Sequence, residues 1–428
     1  MVLSTRKTGK KLILMQLYLI LFEGLLISWG VPSGLTYLTD AINALLTLLC
    51  IRQYRRCFSE KGYTVFIGVL DIYIVALLIG DAINLVSPFL ILWAFRNSFR
   101  LILFFMNCVV VLKEEDMFSF FDKTFFLVVV NFLLVLFQYF VQGKSWDYLG
   151  GIFGTTVGCN AGVNIFCCLM TIYYTNAYLN GKVPLLKTGF VIITSLIIAA
   201  LAEITVMLVE IPLLVFIALF VSKPSFKTVG AGILIFAGVG IGFQIFQILF
   251  PDHFKYVQSI EAFIEGASGV GGGYNISRLT AVQDITRMFF GTDIINRLFG
   301  FGFGACEYSS ISLFSSAFYK RYGYLNYRWF DLQIRFLETG YLGIVLFIGL
   351  FVILTVLAII NRRKLENNSL ALSITISLLV LTVISCFYNA VLRTENGYLL
   401  LYFWAFVPVC LRPKTQEKQN ERYERTMD

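Results

Sequence analysis

Histidine is almost absent from this 428-residue chain, which has only His253. One imidazole excludes a histidine-rich metal centre and any mechanism that needs two imidazoles. Charge is scarce as well: 14% of residues are Asp, Glu, Lys or Arg, where a soluble chain of this length carries about 25%. The nine cysteines (Cys50, Cys57, Cys108, Cys159, Cys167, Cys168, Cys306, Cys386 and Cys410) stand singly or inside apolar runs, with no CxxC pair. Neither a zinc site nor a disulfide framework follows, and buried apolar cysteine is the default reading. The residues make no convincing divalent-metal cage, and no metal or cofactor is expected. The net charge of +8 is not a nucleic-acid signal, because where the charges lie matters more than their sum.

Apolar residues dominate instead, at 58% of the chain, in runs of about 20 that recur from end to end. That pattern implies an all-α polytopic membrane protein. Hydropathy suggests about twelve transmembrane helices: 12–29, 34–51, 63–78, 88–112, 124–141, 160–179, 188–202, 204–220, 229–250, 339–360, 369–388 and 398–411. The basic start (Arg6, Lys7, Lys10, Lys11) resembles a secretory signal, but its apolar run is long and no A-x-A site follows. It reads as a retained first span.

With the N-terminus inside, 22 of the 34 Lys and Arg fall on the cytoplasmic side, ten outside and two within a span. The positive-inside bias therefore favours cytoplasmic N- and C-termini. The chain divides into a bundle of about nine spans (1–250), one large external loop (251–338), three further spans (339–411) and a basic cytoplasmic tail (412–428).

The two intramembrane arginines, Arg96 and Arg100, lie one helical turn apart. Splitting 81–112 into two short segments would invert everything downstream and break the charge pattern. One tilted or partly re-entrant span is preferred, its arginines facing a cavity or a partner. Glu203 falls in a tight external turn, while Glu23, Asp40, Asp71 and Glu210 fall within spans. Scattered intramembrane carboxylates keep an ion or proton pathway open as an alternative.

Eight of the ten external basic residues lie in the loop. Positive charge outside runs against the insertion bias, which points to function. Within the loop, 278–290 reads as an amphipathic helix with Ser277 as its cap, preceded by a flexible VGGGYN stretch. The run LFGFGFG places Gly300, Gly302 and Gly304 for close backbone approach to a neighbour or a ligand. An aromatic-rich segment follows, suited either to a membrane interface or to sugar stacking. Last comes LNYRWFDLQIRFLETGYLG (325–343). As a helix it would set Arg328, Asp331, Arg335 and Glu338 on one stripe of alternating charge at the membrane edge. That stripe is either an active-site face or a set of internal ion pairs.

The order of these parts (SRLTAVQDI, FGFGFG, the aromatic segment, then NYRWFDLQIRFLETGYLG entering a span) resembles the large external loop of bacterial Wzy-type polysaccharide polymerases. These belong to the O-antigen polymerase and ligase superfamily, and the Gram-positive capsular and exopolysaccharide polymerases are most similar. The resemblance implies a GT-C-like arrangement and a glycosyltransferase that joins saccharide repeats carried on undecaprenyl diphosphate, at the outer face of the cytoplasmic membrane. It matches Arg278 to the arginine opening the loop helix, and Glu338, Gly340 and Gly343 to the loop's exit. Two departures matter. The ligase branch has a late-loop histidine where this chain has Asn326–Tyr327, and the superfamily's Ser-Arg pair is here Ala202–Glu203.

In that chemistry a sugar hydroxyl attacks C1 of the donor chain and a diphosphate leaves. Arginine forks match phosphate oxygens at any relevant pH. Arg278 and Arg335, helped by Arg328, are assigned to the diphosphate, with Arg96 and Arg100 as further candidates. Glu338 comes first as general base, with Glu203 and Asp331 behind it, although a carboxylate could equally serve only to orient arginine. The expected partners are the lipid-linked oligosaccharide, membrane lipid and other polysaccharide assembly proteins, with no nucleic acid. A lipid-linked glycan ligase and a secondary transporter or flippase remain alternatives. The flippase is disfavoured because no two matching halves are visible.

Overall fold

A computed structural model of the chain describes residues 2–58, 61–222, 276–362 and 368–411, with scattered positions between 230 and 251. The regular elements among the described residues are all helices, without a strand. Eight helices come first: α1 (Val2–Ser28), α2 (Thr36–Cys57), α3 (Lys61–Asn84), α4 (Pro88–Val111), α5 (Glu114–Phe140), α6 (Asn160–Leu179), α7 (Leu185–Leu201) and α8 (Met207–Val221). Three short helices, α9 (Ala281–Ile285), α10 (Ile294–Phe299) and α11 (Ala317–Tyr322), belong to the loop segment. Then α12 (Asp331–Ile360), α13 (Asn368–Tyr388) and α14 (Gly397–Cys410) complete the bundle.

Seven helices among the described residues are long and apolar enough to cross a membrane: α1–α5, α12 and α13. Helices α7, α8 and α14 are apolar but shorter. Helix α6 has the length, but it carries Asn164, Thr171, Thr175 and Asn176, all buried. An unbroken run of it, from Gly162 to Ala177, is enclosed by protein. A helix that touches neighbours on every side does not need an apolar surface for lipid. The span expected at 229–250 and the tail at 412–428 lie largely or wholly outside the described residues.

The chain ends of these helices alternate between two faces of the bundle. At one face Arg6 and Lys10 of α1 pair with Asp116 at the start of α5. Lys182, on the α6–α7 connection, and Lys187, in the first turn of α7, lie over Phe118 and Phe125 of α5. Helix α5 therefore begins ten residues before its expected span, because Asp116 closes a capping box on the backbone N–H of Lys113. At the opposite face the end of α1 meets the 149–155 turn, the end of α3 meets α10, and the start of α2 meets the start of α4. Helix α4 is a single helix containing both Arg96 and Arg100, as the charge pattern required.

The connection between α5 and α6 dips back into the bundle. Its backbone there is not α-helical, forming only a 3-10 turn at Gly151–Phe153, yet side chains bond the backbone of Gly151, Ile152 and Thr155. Gln138 bonds both the N–H and the C=O of Gly151, Asn131 accepts from Ile152 N at 3.1 Å, and Ser28 Oγ accepts from Thr155 N at 2.8 Å. Irregular backbone within a membrane bundle survives where protein side chains replace the missing ladder.

The loop segment has its own small core of Ile276, Ile285, Phe290, Cys306, Leu325 and Tyr327, packed on Leu332, Ile334, Phe336 and Leu337 of α12. Loop and membrane helix thus share a hydrophobic interface, and the expected boundary at 338/339 falls inside α12.

Candidate functional site

Helix α12 is kinked at Gly340, whose φ is +61°. A Cβ there would lie 2.5 Å from the carbonyl oxygen of Arg297, and one on Gly300 (φ +68°) would lie 2.5 Å from the carbonyl carbon of Glu338. Only glycine at both places lets α10 and the α12 kink interlock. From that junction residues 301–307 run between α3 and α12. Phe301 N donates to Leu337 O at 2.8 Å, Phe303 N donates to the Asp81 carboxylate, and Cys306 N donates to Glu338 Oε1 at 3.2 Å. Tyr327 Oη donates to Cys306 O at 2.8 Å, and Ser316 N to Glu307 O at 2.9 Å. Two buried carboxylates, Asp81 and Glu338, therefore hold the glycine run by its backbone. The consequence is the placement of Glu307.

Glu307 lies at the wall of a cleft of about 320 Å³. The cleft is lined by Tyr37 from α2, by Trp93, Arg96, Asn97 and Arg100 from α4, and by Glu307 and Tyr308 from the loop. Arg328 and Ile334 close another side, with Arg393, Thr394 and Glu395 contributed by the α13–α14 turn. Four arginines from three separate segments thus converge on one hollow. Glu307 is held between Asn97 Nδ2, which donates to Oε2 at 3.1 Å, and the guanidinium of Arg393, which donates to Oε1. Arg393 also lies 3.6 Å from Glu338 Oε2 and donates to Ser98 Oγ at 3.3 Å.

On the other wall, Asp40 accepts from Arg96 Nε at 2.8 Å and from Arg100 Nη1 at 3.1 Å. Arg100 also donates to Glu395 Oε1 at 2.8 Å and to Arg393 O at 3.0 Å. Arg328 differs from these. Among the described residues it has no carboxylate partner, and it rests over the rings of Tyr308 (4.0 Å) and Tyr319 (4.6 Å). Burial pushes the Cys306 thiol and the Tyr327 phenol well up from their ordinary values. Neither can therefore serve as an anionic nucleophile or base near neutral pH.

The residues singled out in the sequence divide into two groups. Arg96, Arg100 and Arg328 line the cleft. Arg335 does not: it is fully buried in a two-pronged pair with Asp331 (2.9 and 2.8 Å), donates to Tyr73 Oη at 3.0 Å and lies over Phe347. Asp331 is spent on that pair, so the internal ion-pair reading of the stripe holds for these two residues. Glu338 is buried beneath the glycine run instead of facing the hollow.

Arg278 is half-buried between the rings of Phe330 (4.7 Å) and Tyr388 (4.4 Å), outside the cleft lining. Glu203 occupies the left-handed turn between α7 and α8 (φ +54°), also away from the cleft. The single helical stripe is corrected as well. Tyr327–Trp329 forms a separate 3-10 turn and Phe330 is extended, so Arg328 leaves the face shared by Asp331, Arg335 and Glu338. The helix expected over 278–290 shortens to α9 followed by a π turn at Thr286–Phe290, and Ser277 does not cap it.

Sequence reasoning did not assign Arg393, Glu395, Glu307 or Asn97. Two signals were present. Arg393 is a cation in a short turn that the charge pattern assigns to the side where the insertion bias disfavours one, and Glu307 stands three residues after the last glycine of the glycine run. Asp40 was recognised as intramembrane, but nothing local tied it to Arg96, 56 residues away. Among the described residues no group of three or more His, Cys, Asp or Glu is arranged to hold a metal ion. No protein-family model and no curated protein matches the chain.

Proposed function

We propose that the chain is a polymerase that joins oligosaccharide repeats carried on undecaprenyl diphosphate into a capsular or exopolysaccharide. It would act at the outer face of a bacterial cytoplasmic membrane, with both termini inside. The observation that carries this reading is the cleft itself. Four guanidinium groups and two carboxylates, Glu307 and Glu395, converge at the end of a membrane bundle from which the large loop rises, with Asp40 paired to two of the arginines. Guanidinium forks in a partly desolvated hollow suit an anionic leaving group, because charge developing on it meets donors already in place.

In the reaction, the hydroxyl of an acceptor sugar bonds to C1 of the donor's reducing-end sugar. The bond from C1 to the phosphate oxygen breaks, and the diphosphate leaves with that electron pair. Arg96, Arg100 and Arg328 stabilise the departing diphosphate. Glu307 accepts the hydroxyl proton, while Arg393 and Asn97 fix the direction of its carboxylate. Tyr37, Trp93 and Tyr308 at the mouth offer ring faces of the kind on which sugars stack. Arg335, Asp331 and Glu338 support this arrangement from behind by pinning α12 and the glycine run, and Arg278 ties the loop to the end of α13.

Deletion followed by sizing of the surface glycan tests the reading. Single repeats at the surface support a polymerase. Repeats retained inside would identify a flippase, and lipid-linked polymer left unattached would identify a ligase.

A further inference from the structure

The carboxylate of Asp40 takes donors from three residues: Arg96 through Nε (2.8 Å) and Nη2, Arg100 through Nη1 (3.1 Å), and Tyr398 through Oη (3.4 Å). Arg96 and Arg100 line the cleft and Asp40 adjoins it through them; its side chain is 20% exposed and that of Arg96 25%, whereas Arg100 is 6% exposed. Two guanidinium groups one turn apart on α4 repel each other, and the Asp40 carboxylate between them, with Glu395 on Arg100, offsets that repulsion. The arrangement is not saturated, since the buried Arg100 Nε has no acceptor. A group that brings more charge and more acceptor oxygens than one carboxylate can therefore replace Asp40 at the same donors.

Resting on the reading of this cleft as a diphosphate site, we propose that Asp40 is a displaceable counter-ion. It gives up Arg96 and Arg100 to a bound diphosphate and takes them back as the product departs. This makes Asp40 a specificity-determining residue in two ways. It disfavours anions too weakly charged to displace it. It also competes with the leaving lipid diphosphate, which gains negative charge when its bond to C1 breaks and would otherwise hold tightest of all.

The test uses the full-length protein in lipid nanodiscs, with inorganic pyrophosphate as probe and inorganic phosphate at equal ionic strength for comparison. Asp40→Asn should bind pyrophosphate about tenfold tighter than wild type. It should bind phosphate closer to pyrophosphate than wild type does, and its turnover should be more strongly inhibited by pyrophosphate. A merely structural Asp40 would act in the opposite direction, because untethered arginines would bind the probe more weakly. Equal or weaker binding by a folded Asp40→Asn, with wild-type binding present and lost in Arg328→Gln, overturns the counter-ion role and leaves the diphosphate site standing. Absence of pyrophosphate binding in wild type, Asp40→Asn and Arg328→Gln alike overturns both.

Should Asp40→Asn not fold, a measurement on the unaltered site replaces it. The Arg96 guanidinium lies 5.0 Å over the ring of Trp93. The fluorescence difference between wild type and Trp93→Phe should change with pyrophosphate and not with phosphate. No change at pyrophosphate concentrations that protect the protein against heat would overturn the exchange.

Discussion

Replacing Glu307 with glutamine separates the proton acceptor from the scaffold. The side chain keeps its shape and loses its charge. In the native site its two oxygens are engaged separately, one by Asn97 Nδ2 at 3.1 Å and the other by Arg393. A glutamine has one oxygen for two donors. It will give that oxygen to Arg393, and its amide nitrogen will face Asn97, whose own oxygen already accepts from Arg96 at 2.9 Å. The loss is one hydrogen bond and the charge assistance of another, about 1.5–3 kcal/mol. Part of that is recovered because Arg393 retains Glu338 at 3.6 Å. The variant should therefore accumulate in the membrane with a modestly lowered melting temperature. Chain growth, followed as consumption of lipid-linked repeats in proteoliposomes, should fall by about 10²–10⁴-fold. Glu338→Gln is the companion variant: Cys306 N donates to its Oε1, a contact an amide oxygen can keep, and only the long 3.6 Å approach of Arg393 loses its charge, so chain growth should stay within about tenfold of wild type. Full chain growth in Glu307→Gln, or a heavier loss in Glu338→Gln, would refute the assignment of the proton to Glu307.

Other perturbations sort the remaining residues. Arg335→Met should lower stability by about 3–5 kcal/mol, because Asp331 is left charged and buried. The double variant Asp331→Asn/Arg335→Met should restore most of it, and a double variant no more stable in chemical denaturation than the single would sink the pairing argument. Arg328→Gln should change stability by no more than about 1 kcal/mol, since only ring contacts are lost, yet shorten the polymer on sizing gels. Arg328→Lys should rescue length poorly because an ammonium lacks the fork. Gly340→Ala and Gly300→Ala should each reduce folded yield sharply, as a Cβ would meet backbone atoms at 2.5 Å at a left-handed φ. Normal yield from either, measured by size-exclusion of the detergent-solubilised protein, contradicts the interlock of α10 with the α12 kink.

Much of this protein is legible in one dimension, and the reason is the solvent. A bilayer demands that backbone polar groups bond within their own segment, so apolar runs become helices almost regardless of partners. For that reason the limits of α4 and α13 follow the hydropathy closely. Where protein replaces lipid as the surroundings, the signal weakens. Buried Asn131 and Gln138 look like blemishes in an apolar span until the re-entrant backbone they satisfy is seen. The charged stripe before α12 was legible as a stripe but not in its use. Phe330 is extended, which turns Arg328 out to the cleft, while the helix that begins at Asp331 turns Arg335 inward.

The sequence by itself determined a many-helix membrane bundle, one long polar interruption, and arginines in places where insertion disfavours them. Which of those arginines meet was decided only by tertiary structure. Arg96, Arg328 and Arg393 are far apart along the chain, and their common hollow exists because the ends of α2 and α4, the loop and the α13–α14 turn arrive at one face. Local rules act over a turn or two of helix, whereas a constellation of charges is held by packing between segments, and that information resides in no single stretch of the chain.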